Sequence, residues 1–121
     1  MGQRKPSVED LIPLKPTDFQ LLLILADGPL HAYGISRAVE EQEKGSVHLE
    51  IGSLYRMLSR LTGQGLIEDL GKDPQASTPA ENRRYYSITA FGRRVARAEA
   101  RRLREVLEVA RSKDLLPARG R

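Results

Sequence analysis

Residues 51–61 place a set of polar side chains on one face of a predicted helix. At about 100° per residue, this face carries hydroxyl groups, a phenol and two guanidinium groups but no carboxylate. Its members are Gly52, Ser53, Tyr55, Arg56, Ser59 and Arg60. Hydrogen-bond donors and positive charge without acid suit a surface of phosphates and base edges. The same composition also fits an ordinary solvated helix, and the rest of the chain decides between the two interpretations.

The opposite face of this segment is apolar. Leu54, Met57, Leu58 and Leu61 recur at i, i+3, i+4 and i+7, which is the pattern of an amphipathic helix. We call the predicted element the central helix. It ends before Gly65, which is predicted to adopt the left-handed conformation that closes many helices.

Length and composition limit the class of protein. The 121 residues suffice for one domain with its own core, with or without an appended helix. The absence of cysteine excludes a disulfide framework, a thiolate metal site and a cysteine nucleophile. Because the sequence has no apolar run of roughly 18 residues and no signal peptide, we expect a soluble, cytoplasmic protein without membrane contact.

The positive charge is concentrated in the second part of the chain. In total, 20 Lys and Arg residues oppose 16 Asp and Glu residues, a net charge of +4. Residues 1–50 contain 5 basic and 8 acidic residues, whereas residues 51–121 contain 15 basic and 8 acidic residues, so the net charges are −3 and +7. A basic part that opens with the central helix indicates an anionic polymer as the partner.

A first helix is predicted after an N-terminal arm at residues 1–15 that holds at most one helical turn. The helix begins around Pro16, with Thr17 as its N-cap and Gln20 completing a capping box, and it ends before Gly28. It is apolar nearly all the way round. Such a helix is either the deepest helix of the core or has one flank covered by a second subunit, and we favour the second explanation.

The following elements have the order of a winged helix–turn–helix. A second amphipathic helix covers residues 31–41, and residues 47–49 form a short extended piece before the central helix. Residues 66–70 form a strand, 71–82 a loop and 83–88 a second strand. In this fold the third helix enters the major groove, and the strand–loop–strand wing lies beside it. The predicted fold is therefore mainly α with a small β-wing, and the winged-helix domain spans residues 16–88.

A long final helix is predicted from Thr89, its N-cap, to about Ser112. One broad side is apolar and must meet the first helix, the same helix of another subunit, or both. Arginines fill the opposite arc, which fits a solvated face paired with Glu105 and Glu108 or, alternatively, a wider basic field. We therefore predict a dimerisation helix at 89–112 and a disordered tail at 113–121. The predicted dimer contacts are Phe19, Leu22, Leu23, Val95, Leu103, Val106, Leu107 and Ala110.

Three blocks of the sequence resemble the PadR family of bacterial transcriptional regulators. They read LLILADGPLHAYGI, then GSLYRMLSRL followed by GLI, then RRYYSITAFG, and they lie in this order between about residues 22 and 93. The resemblance implies a winged-helix DNA-binding domain, a dimer formed through the C-terminal and first helices, and repression of a nearby operon. Two features depart from the family pattern. Arg56 stands where proline is frequent, and Glu50 and Ile51 stand where small or capping residues are common, which leaves the N-cap of the central helix undefined.

We predict a dimeric repressor that reads a pseudo-palindromic operator in double-stranded DNA. Two central helices would occupy successive major grooves about 34–36 Å apart. Arg56 is the candidate for bidentate reading of guanine, whereas the wing cations suit phosphates or the minor groove. The predicted DNA contacts are Ser53, Tyr55, Arg56, Ser59 and Arg60 on the central helix and Lys72, Arg83, Arg84 and Tyr85 on the wing.

Two other classes of function are alternatives. A protein-binding winged helix would expose apolar groups, whereas the outward face here is polar and basic. An effector-gated regulator would bind a small molecule at the dimer interface, although the tryptophan-lined mode known in the family cannot apply to a chain without Trp. The two histidines, His31 and His48, lack ligand spacing, and His31 is predicted to open the second helix. No metal site, cofactor or catalytic residue is predicted, so we do not expect an enzyme.

Overall fold

The computed structural model describes residues 6–42, 50–72 and 83–117 of the chain. The elements in these ranges are α1 Val8–Leu11, α2 Pro16–Leu25, β1 Leu30–His31, α3 Ala32–Gln42, α4 Ile51–Gly63, β2 Ile67–Lys72, β3 Arg84–Ile88 and α5 Ala90–Ser112. The predicted class, mainly helical with a small antiparallel sheet and a long C-terminal helix, is confirmed.

The predicted apolar stripe of the central helix, α4, forms part of a core shared with α2, α3, the sheet and the first turns of α5. Leu54, Leu58 and Leu61 are fully buried, and Met57 packs against them. The helix closes as predicted: Gly65 has φ +78°, and the Leu66 N–H donates to Leu61 O at 3.0 Å. At the other end, Glu50 is the N-cap and makes no side-chain capping hydrogen bond.

Helix α2 begins differently from the prediction. Lys15 is the N-cap and makes no side-chain capping hydrogen bond, so the predicted capping box at Thr17 and Gln20 is wrong. Pro16 occupies the first turn instead, where its fixed φ suits a helix and its missing N–H is not needed.

The protomer itself covers most of the apolar surface of α2. Leu21, Leu22, Ile24 and Leu25 are buried in the core, whereas Leu23 is 45% exposed. The helix is therefore apolar all round chiefly because it runs through the core of one protomer. The flank that includes Leu23 is the part of its apolar surface left most exposed.

The sheet has the order β1–β3–β2, with both pairs antiparallel. Its third strand is β1, in which Leu30 pairs with Tyr86 and His31 with Tyr85. We did not predict this strand, because two residues are too few to show a period of two. The extended piece predicted at residues 47–49 lies outside the described residues.

Strands β2 and β3 form the wing. Their register runs from Ile67 opposite Ile88 to Lys72 opposite Arg84, with a bulge between Asp69 and Gly71. Gly71 has φ +81°, a conformation that favours glycine, and its N–H donates to Asp69 Oδ1 at 2.8 Å.

Helix α5 is anchored at its start. Its N-cap is Thr89, as predicted, whose hydroxyl accepts a hydrogen bond from Gly92 N at 2.9 Å. A Cβ at Gly92 would lie 2.1 Å from Leu66 O, so only glycine permits this close packing of α5 against the start of the wing. Towards its C-terminus the helix emerges from the core, and a turn follows in which Leu115 N donates to Ala110 O at 2.9 Å.

A buried carboxylate joins the N-terminal arm to α5. Glu99 is 1% exposed and accepts two hydrogen bonds from Arg102, both 2.8 Å, and one from Leu14 N at 3.2 Å. The hydrogen bonds from Arg102 hold the pKa of Glu99 below its ordinary value, against the opposing effect of burial. At helical spacing Arg102 falls on the apolar side of α5, apart from the arginines of the opposite arc, and its pair with Glu99 accounts for this position.

Candidate functional site

The outward face of α4 is positioned by the leucines beneath it. Tyr55 is 52% exposed, Arg56 and Ser59 are also exposed, and Ser53 is half-buried. Arg56 Nη2 donates to Ser53 Oγ at 3.1 Å, which aligns the guanidinium along the first turns of the helix. Among the residues that the structure describes, a Cβ at Gly52 would meet Arg56 Nη1 at an ordinary 3.7 Å, so no described contact requires glycine there.

Arg60 has a different environment from the rest of the predicted set. Its Nη1 and Nη2 donate to Asp18 Oδ2 and Oδ1 at 2.8 and 2.9 Å. Asp18 is 3% exposed, and hydrogen bonding to its carboxylate raises the pKa of Arg60. The structure therefore places Arg60 as a link between α4 and the start of α2, and its predicted role as an open DNA contact is not supported by this geometry.

The predicted wing residues do not share one environment. Arg84 Nη1 donates to Asp69 Oδ2 at 2.9 Å across the two strands, whereas Lys72 is exposed at the end of β2. Tyr85 is half-buried with its ring edge-on to that of His31, at 5.3 Å between centroids. Tyr86 points into the core, where burial raises its pKa. The two tyrosines therefore lie on opposite faces of β3.

A cluster of aromatic and cationic groups between the start of α3 and the wing was missed by sequence reasoning. Tyr33 is 53% exposed, and the Cζ atoms of Arg37 and Arg83 lie 5.7 and 5.4 Å from its ring centroid. Arg37 Nη1 also donates to the Tyr33 hydroxyl at 3.0 Å. The spacing of Tyr33 and Arg37 by four residues was a usable signal, but only the fold brings Arg83 to them.

Tyr33 and Arg83 of this cluster border a cleft between α3, α4 and the wing. Its described lining contains cations, phenols and an imidazole but no carboxylate, and consists of His31, Ala32, Tyr33, Tyr55, Lys72, Arg83 and Arg84. His31 opens α3 as predicted, because its Nδ1 accepts a hydrogen bond from Gly34 N at 3.0 Å. Burial and the neighbouring charge of Arg83 lower the pKa of His31. The cleft is therefore suited to an anion.

The residues predicted at a dimer interface divide into two groups. Leu22 and Val95 are 0% exposed within the protomer, so they offer no surface to a partner. The other members are partly or largely exposed on α2 and the C-terminal part of α5, and they are Phe19, Leu23, Leu103, Val106, Leu107 and Ala110. Phe19, Leu103 and Leu107 line one groove between the two helices.

Two kinds of structural feature are absent from the described part of the chain. No group of three or more His, Cys, Asp or Glu side chains could hold a metal ion there. Within the same ranges, no helix is both long and apolar enough to cross a membrane.

Comparisons with known proteins identify the family. Residues 21–98 match the Transcriptional regulator PadR-like family. An uncharacterised 37.1 kDa protein in transposon TN4556 of Streptomyces fradiae is 36% identical over 89 residues, which are 72% of this chain but only 23% of that protein's length.

Solved structures of regulators share the fold. A PadR family transcription regulator from Clostridium difficile R20291 is 24% identical, with a TM-score of 0.66 over 78% of this chain and 94% of that chain. A transcriptional regulator from Clostridium thermocellum is 21% identical, with a TM-score of 0.66 over 78% and 86%. Bacillus subtilis PadR in complex with operator DNA is 19% identical, with a TM-score of 0.59 over 69% of this chain and 46% of that chain. Because the family match spans residues 21–98, more than half of the chain, this protein belongs to the PadR-like family of transcriptional regulators.

Proposed function

We propose that the protein regulates transcription by binding double-stranded DNA through α4 and the wing. The observation that carries this proposal is the acid-free outward face of α4, with Tyr55 and Arg56 exposed beside a cleft that holds Lys72 and Arg83. The leucines of α4 pack in the core, and its hydrogen-bond donors and cations face the solvent. These are the groups that bind phosphates and base edges. The operator complex of Bacillus subtilis PadR supports the same use of the fold.

Within this proposal the α4 side chains have two roles: one reads base edges, and the others contact phosphates and so position the helix on the duplex. Arg56 lies in the first turns of the helix, is exposed, and presents a guanidinium that can donate two parallel hydrogen bonds to guanine O6 and N7. Tyr55, Ser53 and Ser59 have single hydroxyls, which most often contact phosphates and carry little sequence information. Lys72 lies beside them at the end of β2 and adds positive charge for the backbone.

We also propose that two copies associate through α2 and α5. Val106 and Leu107 are 49% and 48% exposed on α5, and the groove between Leu107 and Phe19 continues this apolar surface onto α2. Symmetry-related copies of α4 would then meet two half-sites of a pseudo-palindrome. Binding at such an operator represses transcription where it overlaps the site of the polymerase.

A protein-binding role for the α4 face is less well supported. Among the side chains that the structure describes, none of the exposed large aliphatic residues lies on α4. Val106, Leu107, Val109 and Leu115 lie on α5 or in the turn after it, Leu23 lies on α2, and Leu70 is a single exposed leucine on β2. A protein-docking surface on α4 would instead need a contiguous apolar patch on that helix.

In vitro selection from a random duplex library with the purified full-length chain tests the proposal. We expect enrichment of a pseudo-palindrome whose half-site centres are about 10 base pairs, or a multiple of that, apart. The selected duplex should bind at least about a thousand times more tightly than a scrambled duplex at the same salt concentration. Failure to enrich any duplex, with single-stranded DNA and RNA as further probes, would refute double-stranded DNA as the partner.

A further inference from the structure

The imidazole of His31 has one tautomer that fits its surroundings. The N–H of Gly34 donates to His31 Nδ1 at 3.0 Å, and a backbone amide nitrogen can only donate. Nδ1 must therefore carry the lone pair, and in the neutral ring the proton lies on Nε2. The opposite tautomer would set an Nδ1 proton against an amide that the first turn of α3 holds in place.

The Nε2 proton of His31 then faces a second donor. Arg83 Nη1 lies 3.2 Å from His31 Nε2, and a guanidinium nitrogen has no acceptor capacity. The two groups therefore do not hydrogen-bond to each other but can converge on one acceptor. Protonation of His31 would leave Nε2 a donor, but it would remove the hydrogen bond from Gly34 because it places a proton on Nδ1.

Neighbouring aromatic rings pack against His31 and Arg83 and hold both side chains in place. The ring of Tyr85 packs edge-on against His31 at 5.3 Å, and the ring of Tyr33 lies at 6.4 Å and nearly parallel to it. Arg83 lies over Tyr33, whereas Arg84 is already paired with Asp69. The imidazole is thus fixed by packing and by its helix bond, which is the preorganisation that a binding site needs.

We propose that His31 Nε2–H and Arg83 together hold one phosphodiester oxygen of bound double-stranded DNA. This inference rests on the proposed function and adds a contact from the start of α3, outside the helix that reads bases. A non-bridging phosphate oxygen accepts several hydrogen bonds at once and gains most from charged donors. The contact fixes the position of the wing on the duplex and is the same for every sequence.

His31→Asn and Arg83→Gln separate the two donors. Asn can keep an acceptor for the Gly34 N–H near the position of Nδ1, but it removes the donor at Nε2. We expect each variant to weaken binding of the selected operator and of a scrambled duplex by the same factor, roughly tenfold to a hundredfold. Arg83→Gln should reduce the magnitude of the slope of log K against log salt by about 0.9, whereas His31→Asn should leave the slope unchanged because a neutral group displaces no counterion.

Arg97→Gln, the same change of charge on the exposed side of α5, is the matched control and should bind as the wild type does. Thermal unfolding of His31→Asn shows whether the helix cap is kept. Duplexes with a single neutral methylphosphonate locate the contact: one position per half-site should weaken the wild type but have no further effect on Arg83→Gln.

Three results would overturn the inference while leaving the proposed function intact. In the first, folded His31→Asn binds the operator with the affinity of the wild type. In the second, either variant prefers a different base sequence. In the third, every methylphosphonate weakens binding by Arg83→Gln by the same factor as it weakens binding by the wild type. A wild-type protein that binds no duplex would instead reject the proposed function and this site with it.

Discussion

The ion pair between Arg60 and Asp18 predicts that Arg60 stabilises the fold, whereas the sequence alone predicts that Arg60 contacts DNA. Asp18 is 3% exposed, and both of its carboxylate oxygens accept hydrogen bonds from Arg60, at 2.8 and 2.9 Å. Replacing Arg60 with alanine leaves this buried carboxylate without its cation. We therefore expect Arg60→Ala to lower the free energy of unfolding, although the residue lies on α4, the helix proposed to contact DNA.

The magnitude follows from the two hydrogen bonds and the exposure of each partner. Removing one member of a fully buried ion pair costs about 3–5 kcal/mol. The side chain of Arg60 is 38% exposed, so water can reach the site and replace part of the lost interaction. We expect a loss of about 2–3 kcal/mol, or about 8–12 °C in Tm for a chain of this size.

Urea unfolding followed by far-UV circular dichroism, at one fixed protein concentration, measures this loss. Arg56→Ala is the matched control, since Arg56 lies one turn earlier on the same helix and its described hydrogen bond is to Ser53. It should change the unfolding free energy by less than about 0.5 kcal/mol. It should, however, weaken the operator far more than a scrambled duplex, because a bidentate arginine–guanine pair contributes about 1–3 kcal/mol of discrimination.

A double variant tests the cause. In Asp18→Ala/Arg60→Ala no unpaired carboxylate remains, so the combined loss should be smaller than the sum of the two single losses. Additive losses, or Arg60→Ala with the stability of Arg56→Ala, would refute the coupling of α4 to α2 through this pair.

The other predictions concern pH, assembly and charge. Because its arginine partner holds the pKa of Glu99 below the ordinary value, the stabilisation from this carboxylate is complete above the ordinary glutamate pKa and is lost as pH falls through the lowered one. The difference in unfolding free energy between the wild type and Glu99→Gln should therefore be constant from pH 7 to about pH 5 and shrink below about pH 4, and a constant difference down to about pH 3 would contradict this account. Leu107→Glu, at a position 48% exposed in the protomer, should sediment as a folded monomer, whereas the control Ser112→Glu stays dimeric; a dimeric Leu107→Glu would place the interface elsewhere. Because Arg84 is paired with Asp69, Arg84→Gln should reduce the magnitude of the salt slope by less than the change of about 0.9 expected for Arg83→Gln, without changing the preferred operator. Asp69→Asn should tighten binding to operator and scrambled DNA alike, because it releases Arg84 and keeps the oxygen that accepts the Gly71 N–H; weaker binding would mean that the Arg84–Asp69 pair itself presents the wing to DNA.

Several elements could be predicted from the sequence because their signals are local. The stripe Leu54–Leu58–Leu61 has a helical period over two turns, and Gly65 and Thr89 mark helix ends by their own conformational and capping preferences. The acid-free face of α4 follows from the same periodicity, since a helix that buries one side must turn the other side outward. Pro16 shows the limit of local signals: a plausible capping box follows it, yet the helix begins at the proline itself.

What the sequence determined by itself was the winged-helix class, the outward face of α4 and the basic character of the second part of the chain. Only the tertiary structure decided which charged groups on these elements remain available. It pairs Arg60 with Asp18 and Arg84 with Asp69, and it brings Arg83 to His31, 52 residues away in the chain. The physical reason is that a side chain's partner depends on distance in space, and long-range packing, not helical or strand period, brings distant segments together. The sequence therefore specified a basic surface, and the fold determined which of its cations are paired with carboxylates of the same chain.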